Sequence, residues 1–239
     1  MLTLIDELEE AGGEAESLYL PSDLLLPEVE NSLARLSGME TIPPGLAELA
    51  ARSPTGAVFF WGSARKYVVL PPFPVTERYF AHGYDVEPLR SRLKHDFTVA
   101  LVLIRLGAYA IGVCQGEKLL NSKVGTGLVH ARHRQGGSSS ARFRRHREKQ
   151  IETFLTRVCD HAREQLEPHA RMLDYITYGG ARTTILLLQK RCTFLRQFDN
   201  HTLPPLLDIP EPRQAVLEEA VTRVWSSSVI EWHENETSA

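Results

Sequence analysis

The stretch from Phe97 to Cys114 constrains the fold most. FTVALVLIRL and AYAIGVC are two runs rich in β-branched and other apolar residues, separated by Gly107 alone. Neither run shows the polar alternation of a half-solvated strand, so together they predict a hairpin buried on both faces. A sheet covered on both sides needs helices packed against it, which points to a layered α/β domain. Hydrophobic residues make up 43% of the 239 positions, enough to build a real core.

The surrounding pattern agrees with that class. Before the hairpin, Leu2 to Glu10 reads as a helix, Glu16 to Leu20 as a short strand, and Pro27 to Leu36 and Pro44 to Ala51 as helices. Ala57 to Trp61 and Lys66 to Leu70 read as a hairpin around Gly62-Ser63. After it, Gln115 to Lys118 supplies a turn, Leu119 to Val124 a shorter strand, and Ala141 to Glu167 a long run without proline or glycine. Phe143, Ile151, Phe154, Leu155, Val158, Ala162 and Leu166 recur there at spacings of three and four over most of the span, so one helical face seeks the core. Met172 to Thr177 is expected as a strand and Gly179-Gly180 as a turn. Arg182 to Arg196 is expected as a helix built on Ile185, Leu186, Leu188 and Phe194, Leu206 to Ile209 as a strand, and Pro212 to Trp225 as a closing helix. The expectation is a small N-terminal α/β domain over 1–94, a mixed-sheet α/β domain over 95–232, and a disordered tail over 233–239.

Charge is distributed unevenly. The net charge is -3, yet His130 to Gln150 carries Arg132, Arg134, Arg142, Arg144, Arg145, Arg147 and Lys149 against the single acid Glu148. Cations on the first turns of a helix oppose its dipole, so local helix stability does not account for them. A polyanionic partner does. Just ahead lies Gly125 to Ser140, nearly devoid of aliphatic residues and containing Gln135-Gly136-Gly137-Ser138. Such a loop cannot pack as an element. Its glycines would let backbone amides approach RNA closely, and its arginines would fork onto phosphates, although a solvated loop with a basic flank has the same composition.

Other constellations carry less. Cys114, Cys159 and Cys192 are odd in number and lack CxxC spacing, so they read as reduced core thiols rather than a disulfide framework or a zinc site. His130, His133 and His146 lie inside the cationic stretch without acidic or cysteine ligands, so neither a metal nor a cofactor is implied. Ser138 to Ser140 lack a nucleophile elbow. Gly179-Gly180 could present amides to a phosphate, and Tyr175, Tyr178 and Phe143 could stack on bases, but a turn and core packing serve as well. Without an 18-residue apolar run or a leader-like start, the chain reads as soluble and cytoplasmic.

Written out, HARHRQGGSSSARFRRHREKQIETFLTRV resembles the catalytic loop and following helix of the archaeal and eukaryotic class 1 peptide-chain release factors, where a Gly-Gly-Gln motif precedes a basic helix. The matching positions are His133, Arg134, Gly136, Gly137, Ser139, Arg142, Phe143, Arg147 and Glu148. The resemblance spans roughly residues 56 to 232 and is most similar to the actinobacterial and chloroflexi branch of the Vms-like release factors. It implies an RNase H-like layered α/β middle domain. It also implies partners in the large ribosomal subunit RNA and peptidyl-tRNA, with Gln135, Gly136, Gly137 and Ser138 at the ester and Arg132, Arg134, Arg142, Arg145, Arg147 and Lys149 on RNA phosphates.

Two departures matter. No Asn-Ile-Lys-Ser codon-reading motif is present, and the chain is expected to lack the family's third domain, which disfavours stop-codon recognition. Ser138 stands where the family has its glutamine, with Gln135 immediately before the glycines as the obvious substitute. The resemblance therefore implies a codon-independent rescue factor that hydrolyses the peptidyl-tRNA ester. A Pelota-like module that binds without cleaving and a nuclease acting at the tRNA 3′ end are the alternatives.

Overall fold

The computed structural model describes residues 1–11, 14–36, 45–63, 65–130 and 140–232, with the backbone alone at 140 and 141. The chain divides into two units, Met1–His95 joined by Trp225–Ala239, and Asp96–Val224.

In the first unit, helix α1 (Leu2–Ala11) precedes strand β1 (Ala15–Leu20), followed by α2 (Leu26–Leu33) and α3 (Leu46–Arg52). Strands β2 (Ala57–Gly62), β3 (Lys66–Leu70) and β4 (Tyr79–His82) and helix α4 (Glu87–Lys94) complete its contiguous part. Strict alternation along the central strands splits their side chains between two cores. Leu18, Ala57, Phe59 and Trp61 meet Val29, Leu33 and Ala47 of α2 and α3. Tyr19, Val58 and Phe60 meet Ile5 and Leu8 of α1 and Leu89 of α4. Gly62 stays small because an added Cβ would lie 2.1 Å from the Tyr84 hydroxyl.

The second unit is a five-stranded mixed sheet. Strands β5 (Thr98–Arg105), β6 (Ala108–Gln115) and β7 (Lys118–Thr126) form an antiparallel meander, and helix α5 (Ser140–Leu166) follows. Strand β8 (Tyr175–Gly180) leads into α6 (Arg182–Arg191), a 3₁₀ segment over Thr193–His201, β9 (Thr202–Leu207) and α7 (Gln214–Val224). The order is β7-β6-β5-β8-β9, with β8 parallel to β5 and β9 parallel to β8. Both faces are covered, as the apolar hairpin demands. Phe154, Leu155, Val158 and Ala162 of α5, with Ile185 and Leu188 of α6, pack on Val102, Ile104, Tyr109 and Ile111. Helix α7 lies on the opposite face against β5, β6 and β7. Gly112 opens that face, since its missing Cβ leaves room for Leu217 at 3.0 Å.

Several boundaries differ from the sequence reading. Residues 225–232, assigned there to the second domain, return to the first unit: strand β10 (Ser228–Glu231) pairs antiparallel with β3 and closes the sheet order β10-β3-β2-β1-β4. Gly179-Gly180 is not a turn but the end of β8, paired with Leu103 and Ile104. The two backbones approach so closely that a Cβ on Gly180, at φ +114°, would lie 2.0 Å from the Ile104 carbonyl oxygen. The helix from Arg182 stops at Arg191 and tightens into the 3₁₀ segment, which buries Leu195 and Phe198 while Leu186 stays 55% exposed. Strand β9 starts at Thr202 and includes the cis Pro204-Pro205 bond on the sheet edge, where missing amide donors are tolerated.

Cys159 and Cys192 are joined in a disulfide between α5 and the end of α6, which corrects the reading of three reduced thiols. The two helices bring their Cα atoms to 5.4 Å, within bonding range, although 33 positions separate them in the chain. Cys114 remains a free thiol, buried on β6. Among the described residues, no helix is long and apolar enough to cross a membrane.

Candidate functional site

The site is built where the meander hands the chain over to α5. Strand β7 ends at Thr126, and α5 begins at Ser140. Gln135, Gly136, Gly137 and Ser138, together with Arg132 and Arg134, lie outside the described residues. Both flanks of that segment are described.

The entry strand, the end of β7 together with residues 127–130 that continue from it, is seated on β6 and α5 by close contact and by hydrogen bonds. A Cβ on Gly125 would lie 2.2 Å from the Tyr109 hydroxyl, and one on Gly127 would lie 2.6 Å from Cδ2 of Phe154, so the strand rides directly on these rings. The Gly127 amide donates to the Gly107 carbonyl at 2.9 Å. Three side chains of α5 then hold the backbone: Arg157 Nη1 donates to the Thr126 carbonyl at 3.1 Å, Arg147 Nε donates to the His130 carbonyl at 2.9 Å, and Gln150 Oε1 accepts from the His130 amide at 3.2 Å. Beneath them, Tyr109 is hydrogen bonded to His161 Nδ1. Burial raises the Tyr109 hydroxyl above its ordinary pKa, so it stays protonated.

On the exit side, no residue from 142 to 150 is buried, whereas Phe154, Leu155, Val158, Ala162 and Leu166 all are. The first turns of α5 therefore contribute nothing to the core. Phe143, expected on the core face, is 55% exposed because the face turned to the sheet takes up its first buried residue at Phe154. Arg142, Arg145 and Lys149 are exposed and form no ion pair among the described residues. Arg144 pairs with Glu148 at 3.8 Å, a surface contact of small net effect. Arg147 differs from its neighbours, being half-buried and committed to His130. The aromatic candidates divide in the same way: Tyr178 is 1% exposed, and Tyr175 packs edge-on against Phe97 with centroids 5.2 Å apart.

A cleft of about 310 Å³ opens beside the strand, between Gly127-Leu128 and the α5 residues His146, Lys149, Thr153, Phe154 and Arg157. Of these, only Lys149 was a sequence candidate for RNA contact, while His146 was read as part of the cationic stretch and Phe154 as core. Leu128 and Arg157 carry no local signal, because their roles arise when β7 and α5 meet.

The chain's relatives are of the release-factor class. Peptide chain release factor subunit 1 of Archaeoglobus fulgidus is 28% identical over 210 residues, covering 75% of this chain and 52% of that protein. The same subunit from Picrophilus torridus is 25% identical over 252 residues, covering 93% and 61%. The chain thus spans between half and two thirds of these relatives' length. Among solved structures, the archaeal termination factor aRF1 is similar at 18% identity with a TM-score of 0.43, covering 93% of this chain and 68% of that one. The Vms1 mitochondrial localization core is similar at 13% identity with a TM-score of 0.47, covering 88% and 97%. The family model of the Actinobacteria/chloroflexi VLRF1 release factor matches residues 97–230, more than half of the sequence. The chain belongs to that family.

Proposed function

We propose that this protein is a codon-independent release or ribosome-rescue factor that delivers residues 131–139 to the large ribosomal subunit and hydrolyses the peptidyl-tRNA ester there. The observation that carries the reading is the run of exposed cations on α5, Arg142, Arg145 and Lys149, placed directly after that segment and contributing nothing to the core. Ester hydrolysis requires an oriented water, a stabilised oxyanion and exclusion of bulk solvent. In this proposal Gln135 orients the water, Gly136 and Gly137 admit the backbone close to the tRNA end, and Ser138 contributes a hydroxyl in place of the family's glutamine. Arg132, Arg134, Arg142, Arg145 and Lys149 neutralise RNA phosphates. Arg147, proposed for the same task from the sequence, holds the entry strand through Nε and has its remaining guanidinium nitrogens for RNA.

The Ser138 position favours one second reading, a Pelota-like module that binds the stalled complex without cleaving. Peptide release from stalled large-subunit complexes separates the two. Release by the wild type that falls on Gln135→Ala and on Gly137→Ala supports hydrolysis. Binding without release eliminates it. Sizing the tRNA product distinguishes ester hydrolysis from cleavage near the 3′ end.

A further inference from the structure

The cleft beside the entry strand mixes two chemistries that few ligands combine. Its apolar side is Leu128, 72% exposed at the rim, with Phe154 below it. Its polar side is a stripe of α5 at helical spacing, His146, Lys149, Thr153 and Arg157, and among the described residues no carboxylate lines it. A second groove continues along the helix past Lys149, Thr153 and Arg157 towards Glu152 and Asp160. Glu152 is neutralised there by Arg191. Lys149 forms no ion pair among the described residues, so its charge is available at the junction of the two grooves.

We propose that this cleft binds one unpaired nucleotide of a single-stranded RNA segment, its base lying against the exposed Leu128 side chain and its phosphate held by Lys149 and Arg157. A flat heteroaromatic ring with an attached anion satisfies both walls. Its volume of about 310 Å³ lies at the small end of ligand pockets, which suits one nucleotide and not a base pair. A paired base is already stacked on both faces and cannot enter, so the cleft discriminates against duplex RNA, whereas the exposed arginines at the start of α5 read phosphates in either form. The entry strand forms one wall, and Arg147, Gln150 and Arg157 hold that wall in place. Occupancy of the cleft therefore bears on the base of the 131–139 segment. The inference rests on the reading of this protein as an RNA-directed factor, but it concerns a site separate from Gln135 to Ser138.

The test is fluorescence anisotropy with the full chain and a labelled unstructured pentaribonucleotide, against a duplex of the same sequence. Lys149→Glu and Leu128→Asp should each weaken single-strand binding about tenfold. Lys118→Glu, an equal charge change on β7 away from the cleft, should weaken it less than about twofold, and Lys149→Ala should lower the salt slope by about 0.7. Equal losses from Lys118→Glu and Lys149→Glu, or a duplex that binds as tightly as the single strand, would overturn the proposal and leave a general electrostatic surface. The release assay keeps the two readings apart. Wild-type release without single-strand binding removes the cleft alone, and Lys149-dependent binding without release removes hydrolysis alone.

Discussion

Gly127→Ala probes directly how the entry strand is seated on α5. The added Cβ would lie 2.6 Å from Cδ2 of Phe154, with Cε2 and Cγ at 3.4 and 3.5 Å. Optimal carbon contacts fall near 3.5–4.0 Å, so the nearest pair overlaps by roughly 1 Å. Phe154 cannot retreat easily, being 2% exposed and packed against Tyr109 with centroids 6.0 Å apart. Overpacking of this kind costs about 1–3 kcal/mol. Gly127 is not among the glycines with positive φ, so alanine fits the backbone and returns about 0.4–1 kcal/mol by restricting the unfolded chain. The net expectation is a loss of about 1–2 kcal/mol, read from the urea midpoint at unchanged m. Phe154→Ala removes the ring atoms that clash. In that background Gly127→Ala should cost nothing or stabilise, giving a coupling of about 1 kcal/mol or more in a double-mutant cycle. Costs that add to within about 0.5 kcal/mol would refute the seating of Gly127 on Phe154.

Reducing the Cys159–Cys192 bond should lower stability by about 4 kcal/mol, the loop-closure entropy for a sequence separation of 33, and an unchanged urea midpoint in dithiothreitol would contradict it. Arg147→Ala and Gln150→Ala each delete a hydrogen bond to His130, so amide exchange over residues 127–130 should quicken by about fivefold, near the 1 kcal/mol net value of such a bond. Burial pushes the Cys114 thiol from 9.0 up to about 12. The unfolded chain therefore releases that proton first, so this contribution to stability is intact below about pH 9 and is lost as pH rises towards 12. Urea midpoints from pH 7 to 10.5 should fall more steeply for the wild type than for Cys114→Ala, and native Cys114 should resist thiol reagents at pH 8.

Much of the second unit is legible in the chain because its signals are local. The uninterrupted apolar content of Phe97 to Cys114 encodes a strand pair covered on both faces, and the three-four spacing from Phe154 to Leu166 encodes the core side of α5. The basic cluster is equally plain, since charge density is a property of neighbouring residues. Phe143 shows where the local signal ends: it continues the apolar spacing, but a helix can extend beyond its last buried turn, and periodicity does not mark where packing begins.

The sequence by itself determined the layered α/β class, the order of most elements and the cationic start of α5, because side-chain period and composition act over a few residues. Only the tertiary structure decided that β10 returns to β3, that Gly179-Gly180 lies inside a strand, that Cys159 meets Cys192, and that Arg147, Gln150 and Arg157 bind the entry strand. Each of these depends on which distant segments share space, and hydrogen bonds, disulfides and close backbone approaches are selected by that proximity, not by the residues adjacent in the chain.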